Sequence, residues 1–397
     1  MIDRARRTGG LLILALAPAL ALGLGACASW KPALTARSWT LYVKPGSAVD
    51  LARLHASLEP AFAAVEERMG PFERRVRVHA WDGDLEPRAG LPDAPGAGAG
   101  EMQEVPGIGP ARVRAFHVRA SPRPFSASGV FLGTTDTGTA VHELVHARLA
   151  EQGASVPLWF EEGLASLYGD GVLFEGRWTV DGLACWPLRE LRALSLPDAE
   201  LARLLSLDAR DRYDARENLL VHFVGWAIVF ELQREAPGAD WRAWHRAFGE
   251  LAAREGQLGA ARRLLERAIA PQTEAEWLAR LADPDPARRL AAAKGLWKLR
   301  SPAAVDRLLE ALREETHREV RVGMALNALL STSELRLGYP RWRHLASLAF
   351  PALRDPGVED PAEREAALAL SSALRGRRGS AGRSQAAFDA LTRLWEE

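Results

Sequence analysis

The sequence predicts an α+β protein: a small twisted sheet packed with helices, followed by an all-helical C-terminal region. Alternating runs rich in β-formers occur before residue 133, at Ser38–Val43, Arg75–Trp81 and Ala111–Ala120, with a short one at Gly129–Leu132. From about Leu183 onward only helical spacing is present. Ala, Leu and Arg dominate the composition, and these residues lose little on entering a helix. At 397 residues the chain is too long for one ordinary compact domain.

Lys+Arg and Asp+Glu each total 51, so the formal net charge is zero. A nucleic-acid partner would call for a basic excess or stripe, so none is expected. Two cysteines, Cys27 and Cys185, are too few for a disulfide framework. Cys185 reads as a small buried apolar residue. The thirteen tryptophans read as packing residues.

The N-terminus reads as a targeting segment. Arg4, Arg6 and Arg7 precede an apolar run, Leu11 to Leu24, that is short and interrupted by Pro and Gly. The run ends in Leu24-Gly25-Ala26-Cys27, which resembles a bacterial lipobox. That resemblance implies cleavage before Cys27 and lipidation of its thiol, with several acyl chains anchoring the protein to a membrane. Ala28 at the next position implies the outer membrane, facing the periplasm. A cleaved secretory signal that happens to contain a cysteine is the alternative. The expected layout is a signal peptide over 1–26, a tether over 27–37, a first domain over 38–270 and a helical domain over 271–397.

After the strand Ser38–Val43, Ala48–Met69 has helical spacing, with Leu51, Leu54, Leu58, Phe62 and Val65 on one face. Gly70-Pro71 ends it. Asp82–Pro110 is Gly/Pro-rich and reads as a long loop. Gly138–Gln152 reads as a helix capped by Asp136 or Thr137 and closed by Gly153. Further helices are expected at Ala215–Glu231, Trp241–Glu255 and Gly259–Ala270. From Thr273 paired helices follow, broken by turns at Asp283-Pro284-Asp285 and Ser301-Pro302. Arg289, Ala292, Ala293 and Leu296 recur as Arg321, Met324, Ala325 and Ala328. This texture resembles HEAT repeats, which implies a stacked solenoid with a concave surface for a protein partner. The tail, with helical patterns at Glu363–Leu374 and Ser384–Trp395, reads as a cap.

The chemistry centres on His142-Glu143-Leu144-Val145-His146. Residues four apart share a helix face, so both imidazoles can reach one metal ion. Glu143 lies about 100° around the helix from His142, beside the metal, where a carboxylate can take a proton from water. A catalytic zinc needs a third protein ligand and an open position.

Downstream, Trp159-Phe160-Glu161-Glu162-Gly163-Leu164-Ala165 resembles the second-helix motif of the gluzincin metallopeptidases, Trp-x-x-Glu-Gly-[Phe/Leu]-Ala. The resemblance covers roughly Ala36 to Glu235 and implies a thermolysin-like catalytic domain. It implies one zinc ion held by His142, His146 and Glu162, with Glu161 as the competing glutamate. Glu143 would act as general base in peptide hydrolysis. A tyrosine or histidine further on would stabilise the oxyanion: Tyr213 is the first candidate and His222 the second. His222 also reads as a satisfied core histidine, given the apolar helix around it. The strand Gly129–Leu132 is expected to be the edge that binds extended substrate.

Two departures qualify the likeness. Ser166 stands where thermolysin-like enzymes carry an Asp that orients a histidine. Gly100-Glu101-Met102-Gln103-Glu104 does not match the exopeptidase motif of related aminopeptidases. A peptide or protein is the expected substrate. The competing expectations are a catalytically degenerate scaffold that binds a protein through its repeats, and a zinc hydrolase acting on a non-peptide bond.

Overall fold

The structure is a computed structural model. It describes residues 31–43, 46–80, 103–105, 109–111, 115–118, 129–132, 136–180, 188–208, 215–299 and 302–334. Cys27 and the segment read as a signal, Cys185, Tyr213, most of the long loop and the tail beyond residue 334 lie outside these residues.

The architecture is α+β, mostly helical, with a small mixed sheet. Its strands are β1 (Lys31–Thr35), β2 (Trp39–Val43), β3 (Val76–Ala80), β6 (Ala115–Val118) and β7 (Gly129–Leu132), in the order β1-β2-β3-β7-β6. β2, β3 and β7 run parallel, with Trp39 opposite Val76 and Arg77 opposite Gly129. β1 and β6 are antiparallel at the two edges. The crossover from β2 to β3 is helix α1 (Leu51–Met69), whose start is capped by the Asp50 carboxylate accepting from the Arg53 N–H at 3.0 Å. Alternate sheet residues Trp39, Leu41, Val78, Ala80, Val130 and Leu132 are buried. They share one core with Leu54, Leu58, Phe62 and Val65 of α1. Each fully buried aliphatic side chain there contributes about 1.5–3 kcal/mol.

Three expectations change. Lys31–Thr35, assigned to the tether, is an edge strand paired to β2. Its Pro32 is tolerated because an edge strand leaves alternate N–H groups unpaired. The end of the expected loop forms a hairpin, β4 (Gln103–Val105) with β5 (Gly109–Ala111). That shortens the strand expected over Ala111–Ala120 to β6. Most consequential, β7 is not an edge: β3 and β6 flank it, so its backbone groups are already paired. Among the described residues, the edge on that side of the sheet is β6.

Helices α2 (Thr137–Glu151) and α3 (Leu158–Gly169) carry the two motifs. Asp136 caps α2 by accepting from the Thr139 N–H, and Gly153 closes it at φ 62°. Arg148, buried, ties α2 to the end of α1 by donating to the Gly70 carbonyl at 3.0 Å. After α3 comes a hairpin absent from the sequence reading, β8 (Val172–Phe174) and β9 (Arg177–Thr179). Its two-residue turn has Glu175 and Gly176 both at positive φ, the geometry that matches strand twist.

The remaining helices are α4 (Leu188–Ala193), α5 (Asp198–Ser206), α6 (Ala215–Glu235), α7 (Trp241–Glu255) and α8 (Gln257–Ala268). Two helix pairs follow: α9 (Pro271–Arg280) with α10 (Pro286–Leu299), and α11 (Pro302–Glu314) with α12 (Arg318–Glu334). All but α12 begin on a proline, whose missing N–H costs nothing at a helix start. α10 also packs on α12, where Arg289 grips Glu315 by two hydrogen bonds at 2.7 and 3.0 Å. The helical region touches the first domain at Lys294, which donates to the Gly171 carbonyl and lies over the Trp178 ring.

Among the described residues, no helix is long and apolar enough to cross a membrane.

Candidate metal centre

Two glycine crossings set the site. α2 meets α3 where a Cβ on Gly138 would lie 2.4 Å from the Gly169 carbonyl oxygen. α3 meets α6 where a Cβ on Gly163 would lie 2.3 Å from Gly225 backbone atoms. Only glycine allows backbones to approach this closely. The residues beside these crossings, His142 on α2, Glu162 on α3 and His222 on α6, are thereby drawn together.

Their polar atoms converge. Glu162 Oε2 lies 3.4 Å from His142 Nε2, 3.2 Å from His146 Nε2 and 3.0 Å from His222 Nε2. The Nε2 atoms of His142 and His146 are 3.2 Å apart. Ligands held about 2.0–2.1 Å from a tetrahedral metal stand about 3.3–3.4 Å from one another. The spacing therefore fits a shell around one ion. Glu162 Oε2 is buried without a hydrogen-bond partner despite these three neighbours, as expected where donor atoms face a common centre. His142, Glu162 and His222 form a group that could hold a metal ion, their ligand atoms all within 4.8 Å of one another.

Two of the three imidazoles are oriented from behind. Glu161 Oε1 accepts from His146 Nδ1 at 2.9 Å, so Glu161 is a support and Glu162 faces the centre. A carboxylate that orients a histidine, absent at Ser166, is thus present at Glu161, next to Glu162. The Asn218 carbonyl accepts from His222 Nδ1 at 2.7 Å. His222 stacks on His142 with centroids 5.5 Å apart and planes 8° apart. His222, expected to be a satisfied core histidine, has partners at both nitrogens, and its Nε2 faces Glu162 in the cluster because Gly225, one turn along α6, sits against α3. Tyr213 falls outside the described residues, so its place relative to the cluster is not given.

Electrostatics follow from burial and mutual charge. Burial pushes the His142 imidazole down to about 4, leaving its lone pair available. Burial would lower His146 and His222 too, but the Glu162 carboxylate outweighs it and raises both. Burial would likewise raise Glu162, yet the charges of His146 and His222 hold it well below the usual carboxylate range. Glu143, buried on α2, is pushed up to about 7 by burial, and the charges of His146, Glu162 and His222 all reach it. A buried carboxyl near neutrality beside a cation-binding cluster is equipped to exchange a proton.

Comparison of the chain with family models gives no match. Comparison with curated proteins and with solved structures also gives none.

Proposed function

We propose that the protein is an exported, membrane-anchored zinc metallopeptidase of the gluzincin type that hydrolyses peptide bonds. The observation that carries this reading is the convergence of His142, His146 and Glu162 beside buried Glu143. The mixed sheet with α2 and α3 supports a thermolysin-like domain. The helix pairs α9–α12 support a HEAT-like appendage for a protein partner. The anchor rests on the lipobox-like segment ending at Cys27.

The imidazole and carboxylate donors suit zinc. When bound, that ion supplies Lewis acidity and makes water a nucleophile near neutral pH. Glu143 takes the proton from the attacking water and delivers it to the leaving amine. Glu161 holds the His146 ring so that its Nε2 faces the centre. Substrate in extended form pairs with the open edge of β6, which packs beside α2. Tyr213 is the candidate donor to the oxyanion.

The test is chelation and reconstitution. Hydrolysis of an unfolded protein substrate should vanish with a zinc chelator and return with one equivalent of zinc per chain. Full activity in the metal-free protein would refute the reading.

A second reading is favoured by the number of donors. With His222 Nε2 3.0 Å from Glu162 Oε2, a fourth protein donor would make the site resemble a closed structural one more than an open catalytic one. On that reading the domain is a catalytically degenerate scaffold. Stoichiometric zinc with no cleavage across a peptide library would establish it.

A further inference from the structure

Resting on the metal-site part of that reading, we propose that His222 is a fourth protein ligand, closing the coordination shell around the metal until substrate displaces it.

A carbonyl oxygen only accepts, so the 2.7 Å contact to the Asn218 carbonyl requires a proton on His222 Nδ1. A neutral ring then presents a bare lone pair at Nε2. That atom lies 3.0 Å from Glu162 Oε2 and within 4.8 Å of the His142 ligand atom. The same proton arrangement denies the neutral ring an N–H with which to stabilise an oxyanion. In this conformation His222 is therefore a ligand and not a donor.

The fold holds it there. The Gly163–Gly225 crossing fixes α6 against α3 less than one turn from both ligands. Parallel stacking on His142 restricts rotation of the ring. The His222 and His142 side chains retain 19% and 18% exposure, against 10% for His146, which Glu161 grips. Of the two more exposed imidazoles, His222 alone comes from α6, apart from the histidine pair on α2. Departure of His222 would free one coordination position without disturbing the Glu162 and His146 anchors.

The experiment uses the full chain loaded with cobalt(II), whose visible absorption reports coordination number, together with zinc affinity by chelator competition. Wild type should show a four-coordinate spectrum that is insensitive to added azide. His222→Ala should bind zinc more weakly by at least the roughly 10–100-fold that loss of an outer-sphere partner costs. Its cobalt spectrum should shift, and azide should shift it further by filling the opened position. His222→Gln, which keeps most of the side-chain volume, guards against a packing artefact and should behave in the same direction. Unchanged affinity and spectrum in both variants would overturn the proposal. His142→Ala separates the two failures: if it loses the metal while the His222 variants do not, the metal site stands and the fourth-ligand assignment falls. If wild type takes up no metal, both fall.

Discussion

The backbones of Gly163 and Gly225 are in contact: a Cβ on Gly225 would sit 2.0 Å from the Trp159 carbonyl oxygen and 3.0 Å from the Gly163 Cα. Glu162 precedes one of these glycines, and His222 stands three residues before the other. The crossing thus converts a sequence separation of sixty residues (222 less 162) into a 3.0 Å approach. Neither backbone can yield as a flexible side chain would. Gly225→Ala should destabilise the protein by at least about 1–3 kcal/mol through overpacking, and should weaken metal binding as α6 shifts. Gly249→Ala on α7 is the control, because nothing lies within 4 Å of its added Cβ. It should be neutral or stabilise by up to about 1 kcal/mol. Chemical denaturation of both variants checks the pair.

Glu161 and Glu162 are neighbours with separate tasks. Glu161→Gln keeps a side chain able to reach His146 Nδ1 but removes its charge. It should weaken zinc roughly 10–100-fold. Glu162→Gln removes the carboxylate facing three histidines and should weaken zinc further. Competition titrations that rank the two in the opposite order would exchange their roles.

Metal affinity should fall as pH falls. His146 and His222 have raised pKa values in the metal-free protein, owing mainly to Glu162. A raised imidazole pKa means protons remain bound to higher pH, and an incoming cation must displace them. Zinc binding should therefore release protons below those raised values, and the apparent Kd should tighten as pH rises. Calorimetry in two buffers of different ionisation enthalpy measures the release. Equal heats in both buffers near neutral pH would contradict the assignment.

Without metal, Glu143 has its own pH signature. Its folded-state pKa is raised from 4.5 to about 7 by burial. A raised carboxyl contributes stability that is fully present below the unfolded value and is lost as pH rises through about 7. Glu143→Gln removes that loss. The stability of the chelated wild type should therefore fall relative to the chelated variant between about pH 4.5 and 7. Parallel denaturation curves across that window would show the carboxyl is not buried as described.

Much of this was legible in the sequence, for reasons that can be named. Periodicity located α1 and α7 because their apolar residues fall on one face, as Leu54, Leu58, Phe62 and Val65 do. The HExxH spacing placed His142 and His146 together because helix geometry is local. The Trp159–Ala165 motif named Glu162, which faces the cluster. The approach of His222 to Glu162 was not legible because α6 is apolar on all sides around it, with Trp226 and Phe230 also buried. A motif cannot give the distance between helices. A signal was present in Gly225, one turn beyond His222, as the counterpart of Gly163. The β8–β9 hairpin was missed because Glu175-Gly176 is a weaker turn marker than Asn-Gly. The edge strand was misplaced because pairing order is non-local, and β6 follows the long loop before doubling back beside β7.

The most direct test of the central claim is hydrolysis of an unfolded protein substrate by zinc-loaded wild type and Glu143→Gln, with zinc content measured on the same samples. The account predicts one zinc per chain in both proteins and a loss of turnover of about 10²–10⁴-fold in the variant. Undiminished hydrolysis by Glu143→Gln at full zinc occupancy would contradict it.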